Sequence, residues 1–246
     1  MQPRVWLGMI RSLAIYYNPV RRGQLRRFYA NLLRPGDLAF DIGAHVGNRS
    51  RAMRAAGARV VACEPQQPFA GFLRHSLPRD VVLVEQAVGA SEGVGRMSVS
   101  SLHPTVSSLS ASFAAQASDA PGFGHVRWDR QQEVRMTTLD RLIAQHGIPA
   151  LIKIDVEGFE QEVLAGLSQP VPMLSVEYLP GLRDRTFTVI AMLERLASYR
   201  FNLVVGEEGA FHWPDWRGAD AVRAWLADLP EDAPSGDLYA RLDPSA

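Results

Sequence analysis

The apolar residues of this chain fall into short runs of strand length separated by segments with helical spacing. Strand-length runs occupy residues 38–42, 59–63, 81–84, 96–99, 151–154, 173–178, 201–205 and 238–241. Segments with apolar positions three or four residues apart lie at residues 48–56, 69–77, 139–146, 159–167, 186–199 and 219–229. This alternation predicts an α/β fold with a mostly parallel sheet, in which the run at 81–84 forms a third buried strand.

One large domain is the simplest organisation, because 246 residues with 47% hydrophobic content can bury a substantial core. We predict a short helical extension over residues 1–33 and a main domain over residues 34–246. Residues 1–17 are apolar, but Arg4 and Arg11 interrupt them and no small-residue cleavage site follows, so an amphipathic helix is expected rather than a signal peptide. No apolar run approaches the roughly 20 residues that cross a bilayer, and no membrane span is predicted.

Charge and cysteine content narrow the classes of partner and compartment. The formal net charge is zero, so no overall field favours a nucleic acid, and a nucleic-acid partner is not expected. Cys63 is the only cysteine, which excludes an internal disulfide and is compatible with a reducing compartment. A cytoplasmic location is therefore predicted.

A glycine loop after the first strand is the first sign of a ligand. Its pattern is Asp41-x-Gly43-x-x-x-Gly47, followed by a helix whose first N–H groups are unpaired. The spacing differs from the Gly-x-Gly-x-x-Gly fingerprint of dinucleotide sites. A carboxylate at the start of the loop suits a ligand with an amino group and a positive charge, so S-adenosylmethionine (SAM) is a better candidate than NAD.

Polar residues at the ends of the next two strands extend this site. Glu64 ends the second strand, about 20 residues after Asp41, where a carboxylate can accept hydrogen bonds from both hydroxyls of a ribose. Gln86 and Ala87 follow the third strand and are expected to border an adenine.

A second polar cluster lies on and just after the strand at residues 151–154. It contains Lys153, Asp155 and Glu157, and such groups are costly to bury unless they are paired, so a site is expected there. Lys153 is the only lysine in the chain, all other long basic side chains being arginine. Either a compact ammonium is required at this position or the lysine has survived by chance.

Two loops are candidates for contacts with a second substrate. The Ser- and Ala-rich residues 100–118 are predicted to form a lid over an acceptor site, where Ser107 and Ser108 either contact a ligand or are ordinary loop residues. His212 belongs to an aromatic loop with Trp213 and Trp216. These tryptophans, with Trp128, either present a stacking face or pack against the core.

Taken together and in this order, the motifs resemble the FkbM family of SAM-dependent methyltransferases. The resemblance covers residues 34–178 and includes the loop from Asp41 to Gly47, Glu64-Pro65, residues 86–89, Thr138-Leu-Asp140 and the segment from Lys153 to Gly158. It implies the class I methyltransferase (Rossmann-like) fold: a seven-stranded, mostly parallel sheet with an antiparallel edge hairpin and helices on both faces. It also implies methyl transfer to oxygen, commonly a hydroxyl of a sugar or a secondary metabolite.

The resemblance also assigns parts of the cofactor to residues. Asp41, Gly43 and Gly47 would line the methionine part of SAM, Glu64 its ribose, and Gln86 with Ala87 its adenine. His45 lies where the family usually has asparagine. Its ring would either bond the cofactor carboxylate or crowd the loop.

Methyl transfer to a hydroxyl requires close placement of the acceptor and a group that takes its proton. Asp155 is the first candidate for this base, because the end of the fourth strand faces the methyl group in such sheets. Glu157, Lys153 and His212 are second candidates. A Mg²⁺ ion held by Asp155 and Glu177 is an alternative that we favour less, by analogy with catechol-type methyltransferases.

Three other functions compete with a small-molecule O-methyltransferase. A non-catalytic SAM-binding module would keep the cofactor residues without a working acceptor site. A nicotinamide-dependent oxidoreductase is disfavoured by the missing dinucleotide fingerprint. A nucleic-acid base methyltransferase is disfavoured because Asp155-Val-Glu-Gly158 stands where such enzymes often have an Asn- or Asp-Pro-Pro-aromatic motif. We therefore predict a cytoplasmic SAM-dependent O-methyltransferase with a small hydroxylated acceptor.

Overall fold

A seven-stranded sheet forms the centre of the molecule in this computed structural model. The structure describes residues 9, 12, 13, 16, 19–103, 106–110, 126–206 and 209–243. Its strands, numbered along the chain, are β1 (Leu38–Ile42), β2 (Arg59–Cys63), β3 (Val82–Val84), β4 (Ala87–Val88), β5 (Gly93–Val99), β6 (Arg130–Thr137), β7 (Leu151–Ile154), β8 (Met173–Tyr178), β9 (Tyr199–Val205) and β10 (Gly236–Leu242).

The order of strands in the large sheet is β3-β2-β1-β7-β8-β10-β9. Neighbouring strands are parallel except β10, which runs antiparallel to both β8 and β9. The resemblance implied an antiparallel hairpin at one edge; β9 and β10 form an antiparallel pair there, but the helix at Ala219–Asp228 lies between them in the chain. The predicted seven-stranded, mostly parallel sheet is thus confirmed.

Helices cover both faces of this sheet. They are α1 (Pro19–Leu32), α2 (Asn48–Ala55), α3 (Phe69–Ser76), α4 (Leu139–His146), α5 (Glu160–Ala165), α6 (Arg183–Leu196) and α7 (Ala219–Asp228), with a short 3₁₀ turn at Pro180–Leu182. Successive residues of a strand point to opposite faces. Accordingly, Phe40 and Ile42 pack in a core with α4, α5, α6 and α7, while Ala39 packs in a second core with α1, α2 and α3.

Local signals predicted several element boundaries well. Thr138 caps α4 by accepting a hydrogen bond from the N–H of Arg141 at 3.0 Å. Gly57, at φ 93°, follows the end of α2 as expected. The helix predicted over residues 186–199 instead runs from Arg183 to Leu196, because Tyr199 already belongs to β9.

Two predictions about strands need correction. β3 is an edge strand rather than a buried one, and Val82 is 45% exposed. β6 was not predicted, because Val134 and Met136 are the only large apolar residues in its eight positions. It pairs with β4 and β5 in a separate three-stranded sheet. Of the predicted lid, residues 104–105 and 111–118 lie outside the described residues, as does most of the helix predicted at residues 1–17.

Candidate active site

A cavity of about 260 Å³ opens where the chain reverses its direction across the sheet. From β1 the chain continues outwards to β2 and β3, and it returns to place β7 on the other side of β1. In open α/β sheets, ligands bind at the carboxyl ends of the strands at this switch point. The cavity wall contains most of the predicted site residues, namely Asp41, Gly43, His45, Glu64, Gln86, Ala87, Asp155 and Glu157, as well as Ser107.

The glycine loop passes so close to the segment after β7 that a side chain has no room. Gly43 has φ 85°, and a Cβ atom placed there would lie 1.9 Å from the carbonyl oxygen of Asp155. Gly47 has φ 74°, and its Cβ would lie 2.8 Å from Cδ2 of Leu73. Gly43 therefore keeps β1 and β7 close at the cavity, whereas Gly47 allows the loop to enter α2.

Asp41 points a polar atom into this closely packed region. Its carboxylate accepts a hydrogen bond from the hydroxyl of Ser50, and burial raises its pKa above the usual range. Within the described part of the chain, the other oxygen, Oδ1, is buried without a hydrogen-bond partner. A buried acceptor without a partner is costly, so Asp41 is suited to receive a donor from a ligand.

Glu64 is held by the backbone of two neighbouring segments. Its carboxylate accepts hydrogen bonds from the N–H groups of His45, at 2.7 Å, and Gln66, at 2.8 Å. Burial nevertheless raises the pKa of Glu64 to about 7. The side chain is therefore fixed in orientation at the cavity wall, and its charge depends on pH near neutrality.

His45 has a left-handed backbone conformation, and its ring is largely buried. Its φ is 49°, and its ring centroid lies 4.2 Å from that of Phe69 and 5.3 Å from that of Tyr16. Burial lowers its pKa to about 4, so the ring is neutral at physiological pH. Nε2 is buried and has no hydrogen-bond partner among the described residues. A ligand that reaches the cavity can therefore meet an imidazole nitrogen here.

Four charged side chains form a cluster at the cavity: Arg49, Asp155 and Asp237 line its wall, and Lys153 lies buried behind them. The Lys153 ammonium lies 3.0 Å from Oδ1 of Asp237 and 3.4 Å from Oδ2 of Asp155. Arg49, at the start of α2, lies 3.5 Å from Oδ2 of Asp237 and 3.8 Å from Oδ2 of Asp155. Lys153 is fully buried, whereas the side chain of Asp155 is 28% exposed towards the cavity.

These charges determine the protonation of Asp155 and Lys153. Burial alone would raise the pKa of Asp155, but the positive charges of Lys153 and Arg49 outweigh burial and lower it. Burial would likewise lower the pKa of Lys153, but the carboxylates of Asp155 and Asp237 raise it. Asp155 is thus an ionised carboxylate at neutral pH, and Lys153 is a cation.

Asp155, Glu157 and Glu177 each offer one carboxylate oxygen, and these atoms lie within 4.8 Å of one another. Glu157 has φ 52° and stands directly beyond β7, while Glu177 lies on β8. Burial raises the pKa of both glutamates well above the usual range, and neighbouring carboxylates add to the effect. Oxygen ligands of this kind suit a hard cation such as Mg²⁺.

Comparison with known proteins assigns the family. The model of the family described as "Methyltransferase FkbM domain" matches residues 41–232. The chain belongs to the FkbM methyltransferase family. The resemblance found in the sequence motifs is therefore confirmed.

One curated relative is the 31-O-demethyl-FK506 methyltransferase FkbM of Streptomyces tacrolimicus, which is 32% identical over 158 residues. The match covers 55% of this chain and 61% of that protein, so the chain spans about three-fifths of its relative's length.

Two solved structures are among those similar to this chain. A TehB-like SAM-dependent methyltransferase from Corynebacterium glutamicum matches with a TM-score of 0.47 at 11% identity, covering 95% of this chain and 94% of that one. The magnesium protoporphyrin IX methyltransferase of Synechocystis, solved with bound SAM, matches with a TM-score of 0.43 at 10% identity, covering 96% and 84%.

FkbM family domains have the class I methyltransferase fold, and SAM is their cofactor, as predicted. The residues of this cavity fit that cofactor. Asp41 and His45 present buried polar atoms without partners among the described residues, and Glu64 presents a fixed carboxylate. Gly43 lets the backbone approach closely.

Three predicted residues do not line the cavity of this FkbM domain within the described part of the chain: Gly47, Lys153 and His212. The exposed ring of His212 contacts Trp213 and Trp225, with centroids 5.2 and 4.9 Å away. Trp213 and Trp216 are partly buried against the two cores. Of the two predicted alternatives, they therefore pack against the core rather than present a stacking face. The indole N–H of Trp128 donates to the carbonyl of Val106 at 3.0 Å.

Arg49, Asp237 and Tyr16 also line the cavity, although they were not predicted from the sequence. Arg49 follows the glycine loop immediately, a position close to the ligand that could have singled it out. Asp237 lies far along the chain on β10, paired in register with Glu177, and only the sheet pairing brings it to the site.

No helix in the described part of the chain has the length and apolarity needed to cross a bilayer.

Proposed function

We propose that this protein transfers the methyl group of SAM to a hydroxyl oxygen of a small molecule. The observation that carries the proposal is the ionised, partly exposed Asp155 in the same cavity as Asp41 and Glu64. The Streptomyces relative is named for an acceptor that lacks an O-methyl group, which supports oxygen as the acceptor atom. A cytoplasmic location and the absence of a nucleic-acid partner remain part of this proposal.

Bound SAM supplies a methyl group activated by a positively charged sulfur. Asp41 would hold the amino end of the cofactor at Oδ1, Glu64 its ribose hydroxyls, and Gln86 with Ala87 its adenine. Much of the acceleration in such displacements comes from placement, which these residues would supply.

Asp155 would take the proton of the acceptor hydroxyl while the oxygen–methyl bond forms and the sulfur–methyl bond breaks, so that S-adenosylhomocysteine leaves. It is suited to this role because its carboxylate is already ionised and reaches the cavity. Glu157 is less suited, because burial, with help from neighbouring carboxylates, raises the pKa of its carboxyl well above the usual range and so favours the protonated form. Lys153 is a fully buried cation that does not reach the cavity, so its role is to position Asp155.

An acceptor screen with mass spectrometry tests the proposal. Purified protein is incubated with SAM and a panel of hydroxylated sugars and polyketides, and the product is examined for one added methyl on oxygen. An O-methylated product that disappears in Asp155→Asn is the expected result. SAM binding without methylation of any hydroxylated compound would contradict it and favour a non-catalytic SAM-binding module.

Metal-assisted transfer is a second candidate, favoured by the three carboxylates of Asp155, Glu157 and Glu177. A cation there would offset their mutual repulsion and lower the pKa of a bound hydroxyl. Activity lost on treatment with EDTA and restored by Mg²⁺, with Glu177→Gln insensitive to added Mg²⁺, would support the metal. Full activity after chelation would exclude it.

A further inference from the structure

A second cavity, of about 310 Å³, adjoins the first and shares part of its wall. Glu157, Glu177 and Ser235 line both cavities. The second cavity therefore begins where the first ends, beside the proposed base Asp155. Its volume is at the lower end of the range for small-molecule sites.

Two segments of the chain supply most of the residues that line this second cavity, and Val106, Glu157 and Glu177 complete its wall. One is the 3₁₀ turn after β8, with Leu179, Pro180 and Leu182; the other is the loop between α7 and β10, with Glu231 and Asp232. The first wall is apolar, and the second places two exposed carboxylates at the mouth. A ligand held here meets an apolar surface on one side and negative charge on the other.

Arg183 ties these two walls together. Its guanidinium donates to the carbonyl of Pro180 at 3.1 Å, to that of Ala227 at 2.7 Å and to that of Leu229 at 3.0 Å. The first carbonyl belongs to the 3₁₀ turn, and the other two lie at the end of α7, directly before the acidic loop. The guanidinium of Arg183 is planar and carries five N–H donors, so it holds the 3₁₀ turn and the end of α7 at a fixed separation. The second cavity is therefore preformed.

The charge of the cavity wall is one-sided. Among the described residues that line it, none is Lys, Arg or His, and four have carboxyl side chains: Glu157, Glu177, Glu231 and Asp232. The raised pKa values of Glu157 and Glu177 favour their protonated forms, so the negative charge is that of the exposed Glu231 and Asp232. A phosphate or carboxylate would find no cation here and would be repelled. An ammonium group would be attracted at the mouth.

We infer that the second cavity holds the methyl acceptor, and that this acceptor is a hydroxylated amine, such as an amino sugar or an amino alcohol. Its hydroxyl extends past Glu157 and Glu177 to Asp155, while its ammonium group faces Glu231 and Asp232. This inference rests on the proposed methyl transfer and adds the charge class of the acceptor.

Two series of probes test the charge class. Glucosamine and trans-2-aminocyclohexanol are each compared with their N-acetyl and N-succinyl derivatives, which replace the ammonium by a neutral amide or add a carboxylate. Binding to the protein saturated with S-adenosylhomocysteine is measured by ligand-observed NMR, and methylated products are identified by mass spectrometry. Each series thus changes charge while keeping the hydroxylated scaffold.

The free amine of at least one scaffold should bind about three- to tenfold more tightly than its N-acetyl derivative, with the N-succinyl derivative weakest. The double variant Glu231→Gln with Asp232→Asn should remove this preference. A matched variant, Glu92→Gln with Glu133→Gln, removes two exposed carboxylates elsewhere and should retain it.

Two kinds of result would overturn the inference. One is a derivative that binds as tightly as the amine on both scaffolds, or no binding of either amine. The other is a preference that survives in the Glu231→Gln, Asp232→Asn variant. Methylation on oxygen of a neutral acceptor in preference to its amine counterpart would overturn the charge class but leave the proposed function standing, whereas failure to bind SAM would defeat the proposed function itself.

Discussion

The ammonium of Lys153 lies 3.0 Å from Oδ1 of Asp237, so the single lysine of the chain joins β7 to β10 inside the sheet. Because β8 lies between these two strands, the contact crosses one strand of the sheet. The same ammonium lies 3.4 Å from Asp155 and keeps that carboxylate ionised. Sheet assembly and the proposed chemistry thus depend on one buried cation.

Lys153→Met should destabilise the protein strongly. It would leave Asp155 and Asp237 with fewer positive partners in a buried region, which typically lowers the free energy of unfolding by about 3–5 kcal/mol. Urea denaturation measures the loss. Arg54→Met, which removes an exposed pair with Asp80, should have little effect; equal losses in the two variants would contradict the role of Lys153.

Lys153→Met should also change the pH dependence of methyl transfer. Lys153 helps to lower the pKa of Asp155, so its removal raises that pKa, and the proposed base becomes protonated at a higher pH. The acidic limb of the profile of kcat/KM against pH should therefore move upwards. A profile unchanged from wild type, in protein that is still folded, would separate Lys153 from the chemistry.

Asp155→Asn should lower kcat by about 10²–10⁴-fold while leaving SAM affinity nearly unchanged, because the amide cannot accept the hydroxyl proton. Steady-state kinetics and calorimetry of SAM binding give the two quantities, and the unfolding midpoint checks that the variant is folded. Activity equal to wild type would rule out Asp155 as the base.

The pKa of Glu64, about 7, predicts that SAM affinity depends on pH. Below that pH the carboxyl is protonated and accepts hydrogen bonds weakly, so affinity should rise as pH increases through 7. Glu64→Gln should weaken SAM binding by about ten- to hundredfold and flatten the dependence. The control is Glu85→Gln, because Glu85 pairs with Arg74 outside the cavity; this variant should keep the wild-type dependence of SAM affinity on pH. SAM affinity that does not change with pH in the wild type would contradict the ribose contact.

Gly43→Ala should destabilise the fold by about 1–3 kcal/mol or more, since a Cβ at φ 85° would lie 1.9 Å from the carbonyl oxygen of Asp155. Gly23→Ala is the matched control. Gly23 lies inside α1 with no atom near the added Cβ, so alanine should stabilise the protein by up to about 1 kcal/mol. Thermal unfolding of the two variants compares them, and a neutral Gly43→Ala would disprove the close approach.

Local signals in the sequence were sufficient to predict that Asp41, Glu64 and Asp155 lie near one another. Asp41, Glu64 and Asp155 each end or follow an apolar run, and parallel strands bring such ends to one edge of a sheet. Arg49 and Asp237 could not be paired in this way, because their contact depends on where β10 inserts between β8 and β9. Buried ion pairs such as Arg49 with Asp237 depend on the order of strands in the sheet, and the spacing of apolar residues does not reveal that order.

The edge of the sheet shows the same limit. An apolar run such as residues 81–84 is compatible with a central or an edge strand, and only the missing neighbour of β3 exposes Val82. β6 shows the converse, because its polar residues are stabilised by pairing with β4 and β5 rather than by burial.

Calorimetric titration of the purified protein with SAM, S-adenosylhomocysteine and NADH tests the central claim most directly. The account predicts saturable binding of SAM and S-adenosylhomocysteine, strongly reduced in Glu64→Ala, and no binding of NADH. Binding of NADH instead, or of SAM with an affinity unchanged in Glu64→Ala, would contradict a cofactor site at the carboxyl ends of β1 and β2.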